Sequence, residues 1–74
     1  MRLVSLARDG DKFSLAIDYN GKTHKTIVHA GKRNDLCLRM ACVMQDIKGF
    51  PMHLTNEEIL ACRAIVDEME AQCV

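Results

Sequence analysis

Asn20-Gly21 is the feature that most restricts what this chain can fold into. Asn and Gly tolerate positive φ at both central positions of a two-residue turn, which makes the pair the strongest short hairpin signal. Just ahead of it Phe13, Leu15, Ile17 and Tyr19 alternate with Ser14, Ala16 and Asp18. That period of two marks a half-buried strand. The next strand then runs from Lys22 to about Val28. Asp9-Gly10 repeats the signal upstream and joins a strand over residues 2–8 to the one over 12–19. Residues 1–30 are therefore predicted as a three-stranded antiparallel meander.

Two-residue turns also predict the register. Tyr19 pairs with Lys22, Leu15 with Thr26 and Phe13 with Val28. Across the first turn, Leu6 faces Phe13 and Val4 faces Leu15. One sheet face then carries Val4, Leu6, Phe13, Leu15, Ile17, Tyr19 and Val28, and is expected to face the core. Leu3, Ser5, Ala7, Ser14, Ala16, Lys25 and Ile27 fall on the other face. A slip of one residue would exchange the two faces.

Beyond Gly31 the period changes to that of a helix. Asn34 or Asp35 is a suitable cap for a helix over 34–48, whose main stripe is Leu36, Met40, Val43 and Ile47, with Cys37 and Met44 on its flank. Gly49 suits the left-handed position after the last turn, Pro51 forbids continuation, and Phe50 is placed to fold back on Met44. Thr55-Asn56-Glu57-Glu58 reads as a capping box, with Leu54 and Ile59 as its hydrophobic staple. A second helix over 55–73 shows Ile59, Cys62, Val66, Met69 and Cys73 on one stripe. The fold class expected is α+β, a single domain over residues 1–74 in the order βββαα.

Length and composition fit that reading. Of 74 residues, 49% are hydrophobic and 27% charged, which is globular and enough for one modest core. No run approaches the ~20 apolar residues of a membrane span. The N-terminus lacks the apolar stretch of a secretory signal, so a cytoplasmic location is expected, the host cytoplasm for a phage-encoded chain. Net charge is zero but divided. Residues 1–33 hold seven bases against three acids, and residues 34–74 three bases against seven acids.

Four cysteines and three histidines raise the question of metal. Zinc sites bring ligands in close pairs, whereas Cys37 and Cys42 are five apart in a helix, and His24, His29 and His53 are each isolated. Cys62 and Cys73 lie on an apolar stripe, where a free Cys behaves as a small hydrophobe. All four are read as thiols, Cys37 as part of the core flank, with no metal and no cofactor. Gly10, Gly21, Gly31 and Gly49 have turn or cap duties and form no phosphate loop. No catalytic grouping stands out, and the chain is read as non-enzymatic.

Two partner classes remain. A basic three-stranded meander followed by a helix, over residues 2–48, resembles in order and topology the small DNA-binding modules of integrase arms and of the AP2 type. It is also similar to the second half of a double-stranded-RNA-binding domain. That resemblance implies nucleic-acid contact through Lys22, Lys25, Lys32 and Arg33. The sheet departs from those modules in lacking a ladder of Arg and aromatic residues, and no aromatic is free to stack on a base.

The other class is protein. Leu38 and Cys42 lie off the main stripe of the first helix, and a helix apolar nearly all round is deeply buried or in contact with a partner. The sheet has two free edges, and Lys25 and Ile27 stand on its outer face. The reading preferred is a small interaction module that binds another protein or protein complex, or a second copy of itself, through Leu38, Cys42, Ile27 and Lys25. In size and style such a chain is similar to phage and mobile-element accessory proteins that inhibit host complexes, anti-CRISPR proteins among them.

Overall fold

The computed structural model describes residues 1–51 and 53–72. Strands β1 (Arg2–Asp9), β2 (Lys12–Tyr19) and β3 (Lys22–His29) precede helices α1 (Arg33–Lys48) and α2 (Asn56–Ala71). The strands form one antiparallel sheet in the order β1-β2-β3. This is the expected α+β arrangement.

The second hairpin has the predicted register, with Tyr19 opposite Lys22, Leu15 opposite Thr26 and Phe13 opposite Val28. Asn20 and Gly21 both take positive φ, 52° and 79°. The first hairpin departs from prediction in two ways. Its turn is Gly10-Asp11, not Asp9-Gly10, so Asp9 pairs with Lys12, Arg8 with Phe13 and Leu6 with Leu15. Gly10 at φ 63° holds the first central position, where a hairpin turn needs positive φ. The alternative would have forced that conformation on Asp9.

The second departure is a bulge. The register breaks between Leu3 and Ser5, which lie opposite Ile17 and Ala16. Val4 is the extra residue, and beyond it the faces exchange. Leu3, expected outside, packs against the core. Val4, expected inside, is 49% exposed. The exchange brings the longer side chain inward and sets Arg2 opposite Asp18, where the two form an ion pair at 3.3 Å.

The core lies between one sheet face and the helices. Phe13, Leu15, Ile17 and Val28 meet Leu36, Met40 and Val43 of α1 and Ile65, Val66 and Met69 of α2. Both helices pack on that face, and among the described residues none covers the other face of the sheet.

Helix α1 begins earlier than predicted. Lys32 is its cap without a side-chain hydrogen bond, and Asn34 and Asp35 lie within the first turn. Asp35 there complements the positive end of the helix dipole. Arg33 reaches Asp67 at 2.6 Å and Glu70 at 3.5 Å, which links the first turn to α2 through exposed ion pairs. At the other end Gly49 takes φ 79° and donates to the Gln45 carbonyl at 2.8 Å. Phe50 does not fold back on Met44. Met44 is already fully buried by the core, and Phe50 is 80% exposed.

Helix α2 opens with the predicted capping box. Glu58 N donates to Thr55 Oγ1 at 3.1 Å, and Thr55 N donates to Glu58 Oε1 at 2.9 Å. Val66 and Met69 are buried as expected, Ile59 and Cys62 are half-buried, and Ile65 joins the core. The expected last stripe position, Cys73, lies outside the described residues. No described helix is long and apolar enough to cross a membrane.

Candidate functional site

Period-2 alternation along β3 puts Thr23, Lys25, Ile27 and His29 on the uncovered face. Ile27 is 62% exposed and Lys25 is exposed as well. Across the strand-helix boundary, α1 turns Leu38 and Cys42 outward, one turn apart and therefore neighbours on the helix surface. Leu38 is 69% exposed, and α2 does not cover either residue. The four residues predicted for partner binding thus all reach solvent, Lys25 and Ile27 on the uncovered sheet face and Leu38 and Cys42 on α1, which packs against the opposite face. Ile27 and Cys42 line a single groove of about 210 Å³, with Thr26, Arg39, Val43 and Asp46. A second hollow of about 130 Å³, between His24, Lys25 and Thr26 on the strand and Val43, Asp46 and Ile47 on the helix, continues it along β3.

Arg39 marks one end of this groove. Its Nη1 donates to the His29 carbonyl at 2.9 Å, so that carbonyl points away from β2 toward the helix. Nothing in the sequence pattern signalled the contact, because Arg39 reads as an ordinary exposed helix position.

The residues named for nucleic-acid contact are not brought together. Arg33 is held by Asp67 and Glu70, and the Asp67 hydrogen bond, ahead of the charges, raises its pKa. Lys22 and Lys32 flank opposite ends of β3, whose seven residue steps span about 23 Å. Lys25 lies between them, on the outer face.

The cysteines divide into two environments. Cys37 is exposed, not part of the core flank. Cys37 and the half-buried Cys62 line a separate groove between the helices, with Ala41, Leu54 and Ile59. Burial, followed by the charges of Glu58 and Cys37, raises the Cys62 pKa. Cys42 faces the β3 groove. Among the described residues no group of three or more His, Cys, Asp or Glu side chains is placed to hold a metal ion.

Another polar cluster joins the two helices through a residue that periodicity did not single out. Lys48 Nζ donates to Glu58 Oε1 at 2.7 Å and to the His53 carbonyl at 2.5 Å. The Lys48 hydrogen bond and then the Thr55 amide hold the Glu58 carboxyl at a pKa of about 2. Glu58 was legible as a capping residue, but its partner ten positions back depends on how the loop folds. The cluster is satisfied within the chain, which gives it a structural role.

No protein family, curated protein or solved structure matches this chain.

Proposed function

We propose that the chain is a small protein-interaction module that binds another protein through the side formed by β3 and α1. The observation supporting this is the exposure of Leu38 and Ile27, with Cys42 and Ile27 lining one groove. Apolar side chains set in a polar rim are the form that binding anchors take, and Lys25, Arg39 and Asp46 supply the rim. In this reading the module acts by occupying a surface on its partner. An inhibitor of a larger host complex, of the kind phages and mobile elements encode, is the specific form we favour for a chain of this size.

The test is recovery of partners by the tagged protein from its native host, with and without nuclease. Leu38→Glu and Ile27→Glu should each remove the partner while circular dichroism reports an intact fold. Alanine at Lys22 and Lys32 should leave it bound. A partner lost on nuclease treatment, or lost with the lysines but kept with Leu38→Glu, would favour nucleic-acid contact instead.

A further inference from the structure

We infer that β3 is an acceptor edge: an extended segment of the partner adds to it as a fourth strand, with acidic side chains over the uncovered face and small apolar ones in the β3–α1 groove. The inference rests on the function proposed above and specifies its partner.

The two edges of the sheet differ. β1 carries the bulge at Val4, a device that disrupts pairing along an edge. β3 runs eight residues with no break in its pairing to β2 and no proline. The Arg39 bond shows that the His29 carbonyl faces away from β2. Main-chain groups alternate in direction along an antiparallel strand, so those of Ile27, Lys25 and Thr23 face the same way. Among the described residues none of these three appears in a hydrogen bond from outside the sheet through its main chain.

Alternation also sets the chemistry of the incoming strand. Its residues opposite Thr23, Lys25 and Ile27 would stand on the uncovered face, beside the Lys25 ammonium. β3 holds Lys22 and Lys25 and no acid, and neither lysine forms an ion pair among the described residues. An acidic side chain opposite Lys25 is the complementary choice, since opposite charges across strands are favourable. The intervening residues would enter the groove lined by Thr26, Cys42, Val43 and Ile47. The groove is small, about 210 Å³ with about 130 Å³ beside it, which favours side chains of the size of Val. Asp46 stands on the helix side of it, so the acids belong on the other face.

A second copy of the chain fits less well. The antiparallel register that uses all three free residues, Thr23 to Ile27, sets Lys25 directly against its own copy. Shifting by one pair toward the C-terminal end engages His29, whose carbonyl Arg39 already occupies.

The probe is a dye-labelled, end-capped peptide of eight residues alternating Glu and Val, compared with one alternating Lys and Val. Saturable binding of the Glu peptide, weaker by at least about tenfold for the Lys peptide, is expected. N-methylation of alternate peptide amides should abolish binding in one frame and spare it in the other, because only one set of amides faces β3. On the protein side, Ile27→Pro removes a donor that β2 does not use, and should abolish binding with the fold retained by circular dichroism. The N-methyl comparison decides the matter if that variant unfolds. Equal binding of both peptides, binding indifferent to N-methylation in either frame, or no binding would overturn the inference. So would a concentration-dependent dimer in sedimentation that Lys25→Thr strengthens by removing the like-charge pair. Failure of the functional reading would show separately, in retention of the native partner by Leu38→Glu.

Discussion

Lys48 Nζ and Glu58 Oε1 are 2.7 Å apart, which ties the last residue of α1 to the first turn of α2. The same carboxylate oxygen accepts from the Thr55 amide, so a single group closes the interhelical loop and caps the second helix. Glu58 is 8% exposed, and a carboxylate so placed must keep its partners, because an uncompensated buried charge is strongly unfavourable.

The pH dependence of stability follows. Glu58 titrates at about 2 in the fold, below the ~4.3 of a free glutamate. A depressed carboxyl contributes stability that is fully present above the unfolded value and is lost as pH falls through the folded one. Stability should therefore decline from about pH 5 toward pH 2. Glu58→Gln should lower stability at neutral pH and flatten this decline, measured by urea midpoints across the range. An unchanged slope in Glu58→Gln would assign the acid sensitivity to other carboxylates.

Thr55→Ala removes the acceptor for the Glu58 amide and should cost about 0.5–2 kcal/mol, as for other N-cap substitutions. Thr55→Asp should recover most of it, since Asp caps as well as or better than Thr. Chemical denaturation of the two variants checks both values.

The bulge gives a paired prediction at adjacent residues. Leu3→Ala withdraws a partly buried side chain packed on the core and should cost about 1–2 kcal/mol, below the value for a fully buried leucine. Val4→Ala changes a half-exposed position and should stay within about 0.5 kcal/mol. The reverse order would place the bulge elsewhere. Leu15→Ala, in the centre of the sheet, should cost about 2–5 kcal/mol and bring so small a domain close to unfolding.

These positions also separate what the sequence made legible from what it did not. The Asn20-Gly21 hairpin was readable because its turn chemistry is local and its strands alternate cleanly. β1 was not, because Leu3, Val4 and Leu6 are apolar in both parities, so its pattern carried no mark of the bulge that turns Leu3 inward and Val4 outward. The capping box at Thr55 and Glu58 was readable within four residues. The Lys48 contact, the Arg33 bridges to α2 and the exposure of Phe50 depend on how the helices meet. The same holds for the candidate surface. Leu38 and Cys42 were visible as apolar positions off the main stripe, but whether α2 covered them was a tertiary question. That Ile27 and Cys42 share a groove needed the register of β3 and the path of α1 together.

The thiols report on that groove directly. Cys37 and Cys42 are exposed and should react with a soluble thiol reagent before Cys62, which is half-buried and has its pKa raised by burial. Only the thiolate is nucleophilic, so a raised pKa slows labelling at a given pH. Mass spectrometry of partly labelled protein at pH 7 should rank Cys62 last of these three. The Glu-Val peptide then separates the two exposed thiols. Cys42 lines the groove beside β3, while Cys37 lines the one between the helices. Saturating peptide should slow labelling of Cys42 and leave Cys37 at its free rate. Equal protection of both would mean a general change in the fold. Protection of Cys37 alone would move the occupied site to the interhelical groove.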